Sequence, residues 1–406
     1  MTGSPSPLIA RAWLAVGLLW PAALLNYLDR QMLATVRESV MRDIPSIETA
    51  ERFGYVMATF MWVYAFLSPV GGVVGDRFDR RRVIALSLLV WSAVTWATGR
   101  AETYTELLWL RGLMGVSEAF YIPAALALIA DFHPGRTRAR AVGLHQTGIY
   151  AGMALGGVGG YIAQAGSWRD GFQLFGLIGV LYAAILFFAL PGPERADGER
   201  RPTAGVGSTL GALWGSLSFL LLVAYFTLPA IAGWGIRNWL PTYLGDTFGL
   251  KEGPAGLSAT GYVTIAQFGG ALFGGWAADE WHARTPRGKI FTSAIGTSLC
   301  AAALVGLAFA DSIALAILFM LIWGLGWGVF DANNMPILCQ ITRPEHRATG
   351  YGFMNLVSIS VGAGATVVMG RMRDSGVSLA LAFNVSAAIA LLGALLVLFV
   401  RPRRID

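Results

Sequence analysis

The stretch that decides the fold of this chain is GGVVGDRFDRRR, residues 71–82, because a related stretch occurs once more in the second half. The second copy is GGWAADEWHARTPRGK, residues 274–289. Asp76 of the first copy and Asp279 of the second lie 203 positions apart, which is half of the 406 residues. A repeat at half the chain length predicts that the chain consists of two related halves.

A second pair of similar sequences supports this division into two halves. The sequence RARAVGLHQ at 138–146 corresponds to RATGYGFMN at 347–355, with an offset of 209 residues. Two offsets of similar size indicate two homologous bundles rather than chance similarity. In membrane proteins, the interface between such repeats is a common place for a substrate site, so we expect a cavity there.

The composition places the chain in a membrane. Hydrophobic residues make up 55% of the sequence and charged residues only 13%, and the mean hydropathy is +0.58. A soluble domain with so few charges could not cover its own surface. This excludes an ordinary cytosolic enzyme, a disordered protein and a nucleic-acid-binding module. No catalytic motif, metal-ligand spacing or nucleotide-binding loop occurs in a plausible context, so we expect no enzyme activity and no cofactor.

Apolar runs long enough to span a bilayer recur along the whole chain. They predict an all-α membrane protein with twelve transmembrane helices in two pseudo-symmetric six-helix bundles. The predicted spans are 12–36, 54–75, 83–100, 105–131, 139–165, 170–190, 211–245, 255–278, 289–310, 313–339, 348–370 and 377–400.

The distribution of Lys and Arg predicts the orientation. Of the 30 basic residues, nineteen lie in segments on the side of the two termini, eight lie on the opposite side and three lie within spans. Basic loops stay in the cytoplasm, so we expect both termini there, in the cell (inner or plasma) membrane. The polar, Pro- and Gly-containing stretch after the sixth span predicts a cytoplasmic linker at 191–209 between bundles at 1–190 and 210–406.

Ionisable residues inside spans are costly and are therefore functional candidates. Span one carries Asp29 and Arg30, and span four carries Arg111 and Glu118. Since Arg111 and Glu118 are seven positions apart, they lie on one helix face, about 10.5 Å apart along the axis. The remaining candidates are Arg237 in span seven and Asp331, Asn333 and Asn334 in span ten. The alternative interpretation is a set of structural salt bridges that holds the helices together.

The chemistry of these residue types indicates proton-coupled transport of an organic anion. Arginine stays charged, and its planar fork matches a carboxylate. Burial favours the neutral form of a carboxyl, whereas a nearby guanidinium favours the charged form. We expect Asp29 and Glu118 to take up protons from outside, which frees Arg30 and Arg111 from internal pairing. The carboxylate of the substrate then takes the place of these acids as the partner of the arginines, and the loaded site can close and reopen inward.

The repeated Gly-x-x-x-Asp loop resembles the motif of the major facilitator superfamily, although Asp79 stands where that motif has glycine and Glu280 where it has a basic residue. The resemblance implies the twelve-span fold and a cytoplasmic conformational latch. The alternative role of these residues is that of simple positive-inside anchors. The predicted latch residues are Gly72, Asp76, Arg77, Gly275 and Asp279.

Two further motifs resemble the anion:cation symporter family within this superfamily. They are Asn-Tyr-x-Asp-Arg in span one, ending at Arg30, and Arg-Gly-Leu-x-Gly-x-x-Glu, running from Arg111 to Glu118. The resemblance implies a hexuronate or aldonate as substrate, proton sites at Asp29 and Glu118, and substrate contacts from the arginines, including Arg237. Asp331 lies outside the family pattern and is either a further proton site or a partner of Arg237.

Additional substrate contacts are predicted from polar and aromatic residues in the spans. The asparagines could bind substrate hydroxyls or equally satisfy the helix backbone near Pro336, and most aromatics in such proteins serve helix packing. Pro123 and Pro241 predict kinks in spans four and seven. The predicted contacts of this group are Tyr27, Tyr121, Gln146, Asn333, Asn334 and Asn355.

Two other functions remain open at this point. The stretch RGLMGVSEA, residues 111–119, also resembles spinster-like lipid transporters, and export rather than import is a further alternative. A membrane-embedded enzyme or a passive scaffold is disfavoured, since a scaffold has no reason to keep buried charges. We expect a monomer whose partners are protons, an organic anion and the lipid bilayer, without nucleic acid.

Overall fold

The computed structural model describes residues 7–133, 137–192, 211, 213–343 and 346–402, and its regular structure in these ranges is entirely α-helical. The first nine helices are α1 Pro7–Thr35, α2 Arg37–Asp43, α3 Ala50–Arg77, α4 Arg80–Thr98, α5 Tyr104–Glu118, α6 Tyr121–Phe132, α7 Arg138–Leu155, α8 Val158–Ala165 and α9 Trp168–Ala189. The remaining helices are α10 Leu217–Phe248, α11 Glu252–His282, α12 Gly288–Ala308, α13 Ile313–Ile341, α14 Arg347–Asp374 and α15 Leu379–Val397.

Nine helical stretches among the described residues are long and apolar enough to cross a membrane. One of them, Tyr104–Phe132, combines α5 and α6. The other three predicted spans coincide with α4, with α7 and α8 together, and with α11, which are more polar. The prediction of an all-helical protein with many membrane spans is therefore confirmed.

The chain divides into two compact units. Unit 1 lies within Met1–Glu48, Thr59–Glu199 and Glu252–Leu257, and unit 2 within Thr49–Ala58, Arg200–Lys251 and Ser258–Asp406. The predicted boundaries at 190 and 210 stay a prediction, because most of the expected linker at 191–209 lies outside the described residues.

The two units share two of their main helix pairings. In unit 1, α1 packs mainly on α7 and α4 on α9, which pairs span one with five and span three with six. In unit 2, α10 packs on α14 and α12 on α15, which pairs span seven with eleven and span nine with twelve. The sequence repeat thus corresponds to a repeated packing pattern within the two units.

Span four is interrupted next to its functional residues. Helix α5 ends at Glu118 and α6 begins at Tyr121. Pro123 has no backbone N–H, and its ring disfavours a helical turn with the carbonyl of Ala119, so the break lies where a kink was predicted, although Ala119 and Phe120 keep right-handed helical dihedrals. Pro241, the other predicted kink, lies inside the unbroken helix α10. The carbonyl of Ala119 faces Gly71 of α3, where an added Cβ would lie only 2.3 Å from the carbonyl oxygen. The close approach of α3 to the break therefore requires glycine at position 71.

We expect Gly71→Ala to destabilise unit 1 by about 1–3 kcal/mol, because the added methyl group overlaps a backbone atom that cannot rotate away. The measurement is thermal unfolding of the purified protein in detergent. The matched control is Gly269→Ala in α11, where nothing lies within 4 Å of an added Cβ. A melting temperature of Gly71→Ala equal to or above that of the control would show that α3 is not tightly packed at the break.

Candidate functional site

A buried ion pair joins span one to span four in unit 1. The Nε of Arg30, on α1, donates to Oε2 of Glu118 at the end of α5, at 2.5 Å. The Arg30 side chain is 9% exposed and that of Glu118 is 0% exposed. Removing one partner of such a pair leaves an uncompensated buried charge, which costs about 3–5 kcal/mol. The two residues are therefore strongly coupled.

Aromatic rings surround the guanidinium of Arg30. Its Cζ lies 4.6 Å from the ring centroid of Tyr27, 5.0 Å from that of Phe60 and 4.4 Å from that of Tyr64. Phe60 also contacts the second arginine, because the Cζ of Arg111 lies 4.7 Å from its centroid. Cation–π contacts stabilise a guanidinium without neutralising its charge. The rings therefore hold both guanidinium groups in place without neutralising either of them.

The same part of unit 1 contains Arg111 and Asp29, which are buried at 2% and 1% exposure. The Nη1 of Arg111 donates to the thioether of Met114 at 3.0 Å, which is a neutral and weak acceptor. The Oδ2 of Asp29 accepts from the hydroxyl of Thr95 at 3.0 Å. Asp29, Arg30, Arg111 and Glu118 are close enough to interact electrostatically. We call these four residues the Arg30 cluster, and the structure brings all four together as the sequence predicted.

The Arg30 cluster has unused hydrogen-bonding capacity. Within the described part of the chain, four of its buried polar atoms have no hydrogen-bond partner. These atoms are Oδ1 of Asp29, Nη2 of Arg30, Nε of Arg111 and Oε1 of Glu118. Burying a polar atom without a hydrogen-bond partner has a high free-energy cost. The two guanidinium donors can bind an anionic oxygen, and the two carboxyl oxygens can accept a proton.

Tyr121 and Gln146 were also predicted to contact substrate. The hydroxyl of Tyr121 lies 2.9 Å from the carbonyl oxygen of Leu19, to which it donates, and 3.1 Å from Nε2 of His145. Because its one proton goes to Leu19, the phenol oxygen accepts from Nε2 and assigns the Nε2–H tautomer to His145. The Tyr121 hydroxyl is thus engaged within unit 1. Gln146 is half-buried at the adjacent position of α7.

Unit 2 presents its own arginine, Arg237 of α10. Its Nη2 donates to Oε1 of Gln267 at 2.8 Å, and its Cζ lies 5.9 Å from the ring centroid of Trp323. Asp331 of α13 is exposed and interacts electrostatically with Arg237. Asp331 therefore interacts with Arg237 through its charge, and one hydrogen bond of the arginine goes to the uncharged amide of Gln267.

The predicted asparagines of unit 2 differ in their surroundings. The Nδ2 of Asn333 donates to the carbonyl of Val329 at 2.9 Å, and that of Asn355 donates to the carbonyl of Tyr351 at 3.2 Å. Both bonds run to the preceding turn of the same helix, which is the backbone-satisfying alternative. Asn334 is fully buried, and its amide atoms have no hydrogen-bond partner among the described residues.

The predicted latch is partly visible. Asp279, at the end of α11, pairs with Nζ of Lys289 at the start of α12, at 2.9 Å. Nothing lies within 4 Å of a Cβ added to Gly275, and Arg77 is exposed. The side chain of Asp76 and the surroundings of Gly72 lie outside the described part of the structure. The exposed Asp279–Lys289 pair contributes at most about 1 kcal/mol.

Sequence reasoning did not find Thr95, Phe60 and Gln267. None of them is charged, and each lies in a span that carries no buried charge of its own. The one available signal was the pair Phe60 and Tyr64, four positions apart and so on one face of α3, which places both rings against Arg30. Within the described residues, no group of three or more His, Cys, Asp or Glu side chains could hold a metal ion.

The comparisons with known proteins agree with this architecture. The chain is 29% identical to an MFS-type efflux pump of Mycolicibacterium smegmatis, over 90% of this chain and 85% of that protein. It is 25% identical to the hexuronate transporter of Bacillus subtilis, over 95% of this chain and 93% of that protein. It is 28% identical to protein spinster homolog 1 of Xenopus tropicalis, over 86% of this chain and 71% of that protein.

A solved structure has the same fold. It is a bacterial homologue of the human lysosomal transporter spinster, with a TM-score of 0.76, 19% identity, and coverage of 98% of this chain and 95% of that one. The sequence pattern of the Major Facilitator Superfamily matches residues 19–367. The predicted fold is therefore confirmed, and a multi-pass membrane transporter rather than an enzyme is established. This chain belongs to the Major Facilitator Superfamily.

Proposed function

We propose that this secondary transporter imports a small organic anion together with protons by alternating access, and that the anion is a sugar acid such as a hexuronate or an aldonate. The observation that carries the proposal is the Arg30 cluster, in which two guanidinium groups and two carboxyl groups are buried together in unit 1. A membrane protein retains such expensive groups when they bind or move charge.

The arginines differ in their availability to an anion. Arg30 is paired with Glu118. The hydrogen bond of Arg111 goes to a thioether, and its Nε has no partner among the described residues. A carboxylate placed against Arg111 would supply a charged acceptor in its planar fork geometry. Arg111 is therefore the primary anion receptor of our proposal, with Arg30 as its neighbour and Arg237 as the corresponding arginine of unit 2.

The carboxyl groups supply the proton coupling. When both Asp29 and Glu118 are charged, they balance the two arginines, and the cluster carries no net charge to attract an anion. Protonation of one carboxyl leaves the cluster with one net positive charge, which favours binding of an anion. Proton and anion therefore bind together, and loss of the proton releases the anion. Asp331, exposed near Arg237, is a further candidate for this role.

The relatives leave the substrate class open between three kinds of cargo. The similarity to a hexuronate transporter extends over nearly the whole length of both chains and supports a sugar acid. The spinster homologues and the efflux pump support a lipid-like or exported cargo as the second candidate. The two buried arginines of the cluster favour the sugar acid, because the carboxylate of a sugar acid needs a positively charged partner. The same proposal includes a location in the cell membrane with both termini in the cytoplasm, a monomeric state and the conformational latch.

We expect Arg111→Lys to weaken binding of a hexuronate or aldonate at least about tenfold, because lysine keeps the charge but loses the planar fork. The measurement is substrate binding to the purified protein, with glucuronate and gluconate as probes and a lysophospholipid as the alternative ligand. The matched control is Arg100→Lys in unit 1, where an exposed guanidinium lies over the ring of Trp96. Equal affinity in Arg111→Lys and the control, or binding of the lysophospholipid alone, would contradict the proposal.

We expect Asp29→Asn to abolish accumulation of the anion driven by a pH gradient in proteoliposomes while exchange of internal for external anion continues. Asparagine imitates the neutral acid, so the cluster keeps its positive charge but cannot exchange a proton. The control is Asp246→Asn, which removes an exposed partner of Arg373 in unit 2. Undiminished gradient-driven accumulation in Asp29→Asn would exclude Asp29 from coupling.

A further inference from the structure

The two acids of the Arg30 cluster differ in their contacts. Glu118 is ion-paired with Arg30 at 2.5 Å. Asp29 accepts one hydrogen bond, from Thr95 at 3.0 Å, and its Oδ1 has no hydrogen-bond partner among the described residues. Among the described residues, each of the two carboxyl groups has one oxygen without a hydrogen-bond partner. A guanidinium lies against Glu118, whereas Asp29 has only the hydroxyl of Thr95, so a charge on Asp29 costs more free energy. The geometry therefore favours a charged Glu118 and a neutral Asp29 in this conformation.

Charged groups reach Asp29 from two helices. They are Arg30 on its own helix, α1, and Arg111 and Glu118 on α5. From α4 the polar group that faces it is the hydroxyl of Thr95. The charges of Arg30 and Glu118 cancel within their ion pair. Arg111 then leaves one positive charge when Asp29 is neutral and none when Asp29 is charged, so Asp29 sets the charge of the cluster.

Helix α4 packs tightly against α9 next to Thr95. A Cβ added to Gly176 of α9 would lie 2.4 Å from the backbone nitrogen of Trp96, and one added to Gly179 would lie 2.1 Å from Oγ of Ser92. Ser92 and Trp96 are four positions apart, so this face of α4 is held against α9. Thr95 lies beside this contact on α4, and its hydroxyl donates to Oδ2 of Asp29 on α1.

We propose that Thr95 is the positioning residue of the Asp29 proton site, where it serves as the hydrogen-bond partner of the carboxyl group in both its protonated and its charged form. A hydroxyl can donate to a carboxylate and can accept from the O–H of a carboxylic acid. Thr95 therefore keeps Asp29 in one place while the proton is gained or lost. This inference rests on the proposed proton coupling, but the contact itself can be tested without substrate.

The first test uses protons alone. Infrared difference spectra between acidic and alkaline buffer are recorded on the purified protein without any anion. We expect a carboxylic-acid C=O band that is lost in Asp29→Asn and moves to higher frequency in Thr95→Val, because the acid loses its hydrogen bond. Thr95→Ser should leave the band in place. An unchanged band in Thr95→Val, or no band that depends on Asp29, would overturn the proposal.

The matched control is Thr98→Val, one turn further along α4. Thr98 is equally buried, but its hydroxyl donates to the carbonyl of Val94 in its own helix, at 2.8 Å. This substitution makes the same chemical change without touching Asp29, so the Asp29 band should stay unmoved. A shift of equal size in Thr98→Val would show that any perturbation of α4 moves the band, which would remove the specific role of Thr95.

The second test measures transport of glucuronate or gluconate. We expect Thr95→Val to reduce gradient-driven accumulation about tenfold more than exchange, and Thr95→Ser to restore it. An equal loss of accumulation and exchange in Thr95→Val would indicate a merely structural role and contradict the proposal. If the infrared shift occurs but neither anion is transported by the wild type, the Thr95–Asp29 contact stands and the proposed substrate class fails.

Discussion

The buried ion pair between Arg30 and Glu118 is the interaction on which the rest of unit 1 depends. It joins span one to span four, and neither residue can stay buried without its partner or another charge of the right sign. The rings of Tyr27, Phe60 and Tyr64 reduce the cost of burying Arg30 because each faces the guanidinium. Any conformational change that opens this part of unit 1 must therefore supply a new charge partner, and a proton or an anionic substrate can do so.

The interruption of span four lies directly next to the ion pair. Helix α5 ends at Glu118, so its carboxyl lies beside the two-residue break that separates α5 from α6. Gly71 lets α3 approach the carbonyl of Ala119 closely. The same helix carries Phe60 and Tyr64 at the cluster, so the packing of α3 against the break links the backbone of span four to the aromatic contacts of Arg30.

The two units hold their arginines in different ways. In unit 1, Arg30 is neutralised by a carboxylate, whereas in unit 2 the guanidinium of Arg237 is oriented by the amide of Gln267. The amide of Gln267 fixes the direction of the Arg237 side chain, and Asp331 interacts with its charge. Two helix pairings therefore occur in both units, while the electrostatic surroundings of their arginines differ.

Hydropathy and local composition were enough to predict the membrane class, the apolar spans, the internal repeat and the charged residues of the Arg30 cluster. Asp29, Arg30, Arg111 and Glu118 could be recognised since each is expensive inside a membrane. Only the tertiary structure decided that Arg30 pairs with Glu118, that Asp29 is held by Thr95 and that Phe60 contacts two arginines. These contacts join residues from different spans, and neutral side chains such as Thr95 and Gln267 look ordinary until helix packing brings them against a charge.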